Sequence, residues 1–324
     1  MSTKDEMLKM LSSFHCQYIS GEEIGKKIGV TRAAVNKAAN SLKKDGYNIK
    51  SKTNQGYMIK EDFNFLSQAA IESMTKNSVK IEVFDEIEST NDYAKTLSPG
   101  DTPIAIIADC QTKGRGRLGR SFDSPKGAGL YLSLAIRPDF AIDQALYITM
   151  ASAVGTMRAI DKVCGVTPKI KWVNDLYLND YKIAGILTEA VTNFETGTTG
   201  SIVTGIGINC FPYQYPEEIA SIAGPVSEKK NSFSRNLLAA TVIDNLLDLF
   251  SNLNNKDFLN EYRKNCFVIG RTVTIKNFGN EKRTLCKVLD IDNNGGLIIE
   301  PLEGSDKGKR LTVISGEISL ENFL

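Results

Sequence analysis

The seven residues GRGRLGR (114–120) decide how the middle of this chain is read. Gly114, Gly116 and Gly119 spell G-x-G-x-x-G, the spacing of a dinucleotide-binding phosphate loop. Such a loop needs a strand before it and a helix opening within it, because the helix N-terminus holds the pyrophosphate. The strand is present: IAIIAD (104–109) is a short β-branched apolar run. The helix is missing. RSFDSPKGAG (120–129) follows, and Pro125, Gly127 and Gly129 are loop formers. The stretch therefore reads as a glycine loop carrying Arg115, Arg117 and Arg120. Its glycines permit close backbone approach, and its arginines are planar, permanently charged forks suited to carboxylate or phosphate. On this segment alone, a solvated basic surface loop is the alternative.

Strand-like runs surround the loop: IEVFDEI (81–87), LYLSLAI (130–136), KIKWVND (169–175) and SIVTGIGI (201–208). Residues 141–163 and 234–250 are helical by period, with Leu146, Met150, Val154 and Met157 on one face. The mixture predicts an α/β or α+β layered domain. Three further stretches carry chemistry. Ser89, Thr90 and Asn91 precede the helical YAKTL, where they can cap a helix or hydrogen-bond a neutral polar ligand. KWVNDLYLNDYKIAGILTE (171–189) reads as two strands around an Asn179-Asp180 turn. It carries Lys182 inside an apolar strand, a costly place for a charge without an anionic partner. Asp175 is the candidate partner or metal ligand. GIGIN (205–209) is a strand whose glycines leave room for a flat group, closed by the amide of Asn209.

The N-terminus is a separate module. Met7, Met10, Leu11 and Phe14 fall at helical spacing, Ser20 and Glu23 make a capping box, and Gly29 ends the next helix. Thr31 caps a third helix whose outward positions are Arg32, Asn36, Lys37, Asn40 and Lys43, types that contact phosphates and base edges. YNIKSKTNQGYMI (47–59) reads as a two-strand wing with Lys50 and Lys52 outward. Together these predict a winged helix-turn-helix over 1–62. Residues 1–60 hold 11 Lys+Arg against 5 Asp+Glu, whereas the remainder holds 28 against 33. A basic module on a mildly acidic body points to a polyanion partner for that module alone, in keeping with DNA contact by the third helix. A winged helix used for protein contacts is the alternative.

Composition narrows the chemistry. At 324 residues, 42% hydrophobic and 24% charged, the chain is expected to be globular, with two or three domains. No apolar run reaches membrane-span length and the N-terminus lacks a signal core, so a cytoplasmic protein with no membrane partner is expected. Six scattered cysteines (Cys16, Cys110, Cys164, Cys210, Cys266, Cys286) suit reduced thiols and argue against zinc. The single histidine, His15, sits in the N-terminal module, which removes histidine-based nucleophile activation from the central domain. No P-loop motif appears. Arginines on a glycine loop, a strand lysine, an acid, a neutral polar cluster and a flat slot suit an acyl-adenylate, formed by positioning and electrostatic stabilisation without a side-chain nucleophile.

GRGRLGR, KWVNDLY, YKIAGILTE and GIGIN, behind a winged helix-turn-helix, resemble the bifunctional biotin–protein ligase/repressors of the BirA type, in motif order along nearly the whole chain. The resemblance implies that biotin and MgATP form biotinyl-5′-AMP, and that biotin then passes to a lysine of a carboxylase carrier domain. It implies biotin contacts at Ser89, Thr90, Asn91, Gln111, Arg115, Gly116, Arg117 and Lys182, and catalytic roles for Lys182, Arg117 and Asp175. Nucleotide contacts fall on Arg117, Arg120 and Asn209, with Asp175 associated with Mg2+. It also implies an adenylate-promoted homodimer. Val173 stands where the family usually has proline, and Ser121-Phe122 where a basic residue and tryptophan are common; both bear on loop packing. A sensing repressor without catalysis and a lipoate-type ligase remain alternatives. The expected architecture is α+β and multidomain: winged helix 1–62, a central α/β ligase domain with a class II synthetase-like mixed sheet over 78–266, and a small SH3-like β-barrel over 267–324. Its expected strands are RTVTIKN, TLCKVLDID, GLIIEP and RLTVISGEISL. Lys309 and Arg310 are candidate phosphate contacts there, with a solvated charge as the alternative.

Overall fold

A computed structural model describes residues 2–14, 17–44, 47–60, 65–138, 145–192, 199–276 and 283–320. His15, Cys16 and the first residues of the predicted 141–163 helix lie outside them. The N-terminal module has helices α1 (Thr3–Ser13), α2 (Gly21–Ile28) and α3 (Arg32–Lys44), then strands β1 (Ile49–Lys52) and β2 (Gly56–Ile59). Ser20 Oγ accepts from Glu23 N at 3.0 Å and Thr31 Oγ1 from Ala34 N at 3.2 Å, so both N-caps form, but Glu23 pairs with Lys27 at 3.5 Å and does not complete the expected capping box. Gly29 closes α2 at φ 71°, the left-handed conformation a tight turn demands. Met7, Leu11, Ile24, Val35, Leu42 and Ile49 make this module's own core. Three helices and a two-stranded wing are a winged helix-turn-helix.

Helix α4 (Gln68–Met74) then leads into the central unit. Asn236 grips the segment before it, accepting from Ser67 N at 2.9 Å and donating to Phe65 O at 3.0 Å. The next elements are β3 (Lys80–Phe84), α5 (Thr90–Lys95), β4 (Ile104–Ala108), β5 (Gly129–Ile136), α6 (Ala145–Cys164), β6 (Lys169–Lys171), β7 (Asp175–Leu178), β8 (Tyr181–Thr192) and β9 (Thr199–Asn209). Helices α7 (Glu217–Ala220), α8 (Arg235–Ser251) and α9 (Phe258–Asn265) follow. The seven strands form one sheet in the order β3-β4-β5-β9-β8-β7-β6, parallel between β3 and β4 and antiparallel elsewhere. KIKWVND is not one strand: the chain turns at Trp172–Asn174, between β6 and β7, and the Trp172–Val173 peptide is cis.

Side chains alternate across this sheet with the period of two that strands impose. Ala105, Ile107, Leu130, Leu132 and Leu134 pack with α6 and α8, while Ile106, Ala135 and Val203 meet Ala94 of α5. All eight residues of β5 are buried, as expected of a strand covered on both faces. Beneath it lies a buried ion pair: Arg235, fully buried, donates from Nη1 to Asp109 Oδ1 at 2.6 Å and to Gly129 O at 2.7 Å.

The C-terminal region corrects the expected SH3-like barrel. Strands β10 (Thr272–Lys276), β11 (Arg283–Ile291), β12 (Leu297–Pro301), β13 (Leu311–Val313) and β14 (Glu317–Leu320) form an open sheet in the order β13-β12-β11-β10-β14. Among the described residues no sheet closes into a barrel. RLTVISGEISL breaks into two short strands, and residues 314–316 carry the chain from the β12 edge to the β10 edge. The sheet must curl to allow so short a crossing. Closure further requires the two edge strands to pair in a staggered register, and the strands bordering this bend pair only inward. The apolar face of this sheet, including Val273, Val288 and Leu297, joins the core of the central unit without interruption.

Candidate functional site

The cavity lies on the α5 face of the seven-stranded sheet, where cross-strand register sets its floor. Ser133 pairs with Gly205, and Tyr131 with Gly207, which in turn pairs with Gly185 opposite Asp175. Three glycines in adjacent strands leave a bare patch of backbone. A Cβ on Gly205 would stand 2.1 Å from Asn91 Oδ1, and one on Gly207 2.5 Å from the Phe122 ring. Beside Gly207 the flat group is thus a ring of the chain itself, while all three glycines still line the cavity.

Ser89 ends the approach to α5. Its Oγ accepts from Asp92 N at 3.2 Å, so it caps the helix and also lines the cavity. That cap drives Thr90 and Asn91 inward, where they are 3% and 4% exposed. Gln111 Oε1 accepts from Thr90 N at 2.8 Å and from Thr90 Oγ1 at 3.0 Å, while its Nε2 donates to Ser124 Oγ at 2.9 Å. Ser133 Oγ lies 2.7 Å from Thr90 Oγ1 and 2.6 Å from Asn91 Oδ1. The result is a neutral, fully hydrogen-bonded floor, the environment for a polar uncharged ligand group.

GRGRLGR closes one side. The loop is pinched at its base by Phe122 N donating to Gly114 O at 2.9 Å, and Gly116 N donating to Arg120 O at 2.7 Å. Arg117–Gly119 make only a single 3₁₀ turn, with Leu118 at φ 61° and 53% exposed at the tip. No helix opens at this loop, as the sequence requires. Arg115 turns back to Asp92 at 2.5 Å, with Glu189 at 3.7 Å. Arg117 Nη1 donates to Asn174 Oδ1, a neutral acceptor, at 3.1 Å. Burial pushes the Asp92 carboxyl up, but hydrogen bonds from Lys95 and Arg115 outweigh it and hold the group below its ordinary value of 3.8.

The opposite wall carries Lys182 on β8, its Nζ 2.7 Å from Asp175 Oδ1. This is an ion pair by distance; Asp175 Oδ1 is buried and receives no well-angled hydrogen bond. Ser89, Thr90, Asn91, Gln111, Arg115, Gly116, Arg117, Arg120, Asp175 and Lys182 all line this one cavity of about 170 Å³. Asn209 does not; its Nδ2 stands 3.5 Å from Lys182 O, behind the wall. Lys309 and Arg310 are exposed and outside it, Lys309 pairing with Asp306 at 2.8 Å.

Sequence reasoning missed several lining residues. Lys171, Trp172 and Asn174 belong to a motif already singled out, so chain proximity was the available signal. Gly316 and Ile318 also line the cavity, from the C-terminal sheet, and nothing local announces them. The same sheet grips the wall from behind: Trp172 Nε1 donates to Gly295 O at 3.0 Å. Chemically, the cavity sets a neutral hydrogen-bonding floor beside five cationic side chains and one acid, with no activated nucleophile among its lining. That arrangement suits a ligand with a neutral polar head joined to anionic groups.

The proposed DNA contacts are separate from it. Arg32, Asn36, Lys37, Asn40, Lys43, Lys50 and Lys52 are all exposed on α3 and the wing. Asn40 Nδ2 donates to Asn36 Oδ1 at 3.0 Å, and Lys43 Nζ to Ser51 Oγ at 2.8 Å, tying the helix to the wing. Among the described residues no helix is long and apolar enough to cross a membrane.

A model of the biotin/lipoate A/B protein ligase family matches residues 83–209, and a helix-turn-helix domain model matches residues 3–58. The sequence is 30% identical over 317 residues to the bifunctional ligase/repressor BirA of Bacillus subtilis, spanning 94% of this chain and 96% of that protein. It is 32% identical over 314 residues to the bifunctional ligase/repressor BirA of Salmonella typhimurium, spanning 94% of each. The structure is similar to that of the biotin protein ligase from Aquifex aeolicus in complex with biotin and ATP, with a TM-score of 0.62 and 25% identity over 74% of this chain and 97% of that one.

Proposed function

The chain belongs to the BirA family of bifunctional ligase/repressors, and on that premise we propose how its residues divide the work. It is an ATP-dependent biotin–protein ligase and a DNA-binding repressor. In the first step an oxygen of the biotin carboxylate attacks the α-phosphorus of ATP; the bond to the β-phosphate oxygen breaks, leaving biotinyl-5′-AMP and pyrophosphate. In the second, the neutral amine of a carrier lysine attacks the acyl carbon, AMP leaves, and the amine's proton passes to solvent. The partners are a biotin carboxyl carrier domain and operator DNA.

The observation that carries the site reading is convergence. The neutral floor of Ser89, Thr90, Asn91 and Gln111 suits a ureido ring, and the cationic wall lies within the same cavity. Lys182 sits where a carboxylate and an α-phosphate must meet against their mutual repulsion. Arg117, held by a neutral amide, keeps its charge for the phosphate, and Arg115 and Gly116 complete the biotin side. Arg120 belongs to the nucleotide side; Asn209, behind the wall, bears on that side only through the Lys182 backbone. ATP arrives as its magnesium complex. A magnesium ion held mostly by phosphate and water needs one or two protein carboxylates, and Asp175, with its poorly satisfied Oδ1, suits that share once Lys182 turns to the anions. We divide the chain at 1–62, 78–266 and 267–324, the last contributing Gly316 and Ile318 to the cavity.

The exposed basic face of α3 and the wing supports operator contact. Two copies at fixed spacing read a palindrome far more tightly than one, and a loop ordered by the adenylate gives a physical route to a ligand-driven homodimer. The test is direct: mixing the protein with biotin and MgATP must release pyrophosphate and yield biotinyl-5′-AMP. Turnover with lipoate in place of biotin would move the chain to the lipoate-type ligases. No pyrophosphate with either acid would leave a sensing repressor.

A further inference from the structure

Glu189 lies on β8, seven residues beyond Lys182, and does not line the cavity. It nevertheless touches two of the cavity's residues. Its Oε2 accepts from Asn91 Nδ2 at 2.9 Å, and its Oε1 pairs with Lys95 Nζ at 3.0 Å and with Arg115 Nη2 at 3.7 Å. Asn91 Nδ2 also donates to Leu187 O, at 3.3 Å. We propose that Glu189 is the positioning residue that fixes the donor and acceptor polarity of the neutral floor, and so sets its affinity for biotin. The inference rests on the biotin reading of the cavity.

The placement of hydrogens sets this polarity. An ionised carboxylate and a carbonyl only accept, so Asn91 must turn its NH2 toward Glu189 and Leu187. Asn91 Oδ1 then faces Ser133 Oγ at 2.6 Å and takes the single hydrogen that hydroxyl owns. The far end is pinned as well. Thr90 N donates to Gln111 Oε1 at 2.8 Å, which fixes that amide with its NH2 toward Ser124. Thr90 Oγ1 gives its one hydrogen to Gln111 Oε1 at 3.0 Å, with Ser133 Oγ 2.7 Å away on its other side. Its lone pairs are what it can offer the cavity. With Glu189 in place, the Thr90 hydroxyl is an acceptor for a ligand N–H, as a cyclic urea presents. A glutamine at 189 can donate as well as accept. Only Leu187 O, at 3.3 Å, then still holds the Asn91 NH2 in place; a flipped amide lets Ser133 donate to Thr90 instead, and the polarity of the floor is no longer fixed.

The experiment is Glu189→Gln, isosteric and uncharged, in the full-length protein. Biotin affinity is measured by calorimetry, and the steady-state constants for biotin and MgATP by pyrophosphate release. The expected result is weaker biotin binding and a raised KM for biotin by about tenfold or more, with kcat at saturating biotin and KM for MgATP within about twofold. Glu189→Asp, which still only accepts, should recover part of the affinity that Glu189→Gln loses. Unchanged biotin affinity in Glu189→Gln overturns the inference. So does a parallel fall in kcat and rise in both KM values, which would mark a structural role. Wild-type protein that binds no biotin overturns the biotin reading itself, and this inference with it.

Discussion

At the residue scale, the cavity is a set of charges whose partners are provisional. Lys182 is paired with Asp175 at 2.7 Å in a wall that is otherwise apolar strand. Lys182→Ala should reduce adenylate formation by roughly 10²–10³, the usual effect of removing one electrostatic contact to a developing charge. It also leaves the buried Oδ1 of Asp175 without its cation, so thermal or urea unfolding should show a loss of about 1–3 kcal/mol. Near-normal pyrophosphate release from a folded variant would mean that Lys182 does not stabilise the adenylation step. Asp92 supplies a pH signature. Its carboxyl is held below 3.8, so its contribution to stability is present above that value and is lost as pH falls below it. The urea midpoint of the wild type should therefore drop more steeply than that of Asp92→Asn as pH falls below about 4. Parallel curves would show that the cluster of Asp92, Lys95 and Arg115 adds nothing in solution.

Elements turn these residues into a site. Strand β9 contributes Gly205 and Gly207, and a methyl group at Gly205 would collide with Asn91 Oδ1. Gly205→Ala is expected to cost about 1–3 kcal/mol of stability through overpacking, and to raise KM for biotin because Asn91 must move off Ser133. Calorimetric titration with biotin checks it, and undiminished affinity would mean that Asn91 does not shape the floor. Helix α3 and the wing act together at the other end of the molecule. Each lysine that meets a phosphate releases counterions, so Lys50→Ala and Lys52→Ala should each lower the slope of log affinity against log salt by about 0.9. Operator titrations from low to high salt would show it; unaltered slopes would place the wing off the DNA.

Across the whole molecule, the winged helix and the ligase unit have separate hydrophobic cores, while the C-terminal sheet shares the ligase core. The cavity wall is correspondingly composite: Trp172 is fastened to Gly295, and Ile318 faces the same space as Lys182. Ligand binding is thus positioned to tighten the ligase unit and its C-terminal sheet as one body. If the adenylate orders the arginine loop and that order completes a dimer surface, ligand and dimerisation must be linked reciprocally. Sedimentation should show the dimer fraction rising with biotinyl-5′-AMP, and operator affinity rising with it. A dimer fraction and a DNA affinity both indifferent to the adenylate would leave a ligase whose N-terminal module serves another end.

How much of this molecule is legible in its sequence follows from the range of each interaction. The winged helix is readable because caps, glycine stops and helical periodicity act within a few residues: Ser20, Gly29 and Thr31 announce their turns locally. The rejection of a phosphate-loop helix at GRGRLGR is readable for the same reason, since Pro125 and the glycines after it forbid one. The reacting groups are legible as types, because a lysine in an apolar strand demands an anion wherever it lands. The same signal marks Glu189 in GILTEA. What it touches is not legible, because Asn91 lies ninety-eight residues away and meets it through a hydrogen bond between strand and helix. Register has the same character. That Gly185, Gly205 and Gly207 lie close together is set by the pairing of β8 with β9, and that Phe122 packs beside Gly207 and Asn91 beside Gly205 is set by packing. The C-terminal strands are visible in sequence, but closure is a property of edges meeting across the sheet, and no local pattern encodes whether they do. Sequence alone determined the elements and the chemistry they carry; tertiary structure decided which distant groups share hydrogens, and so what the cavity can hold.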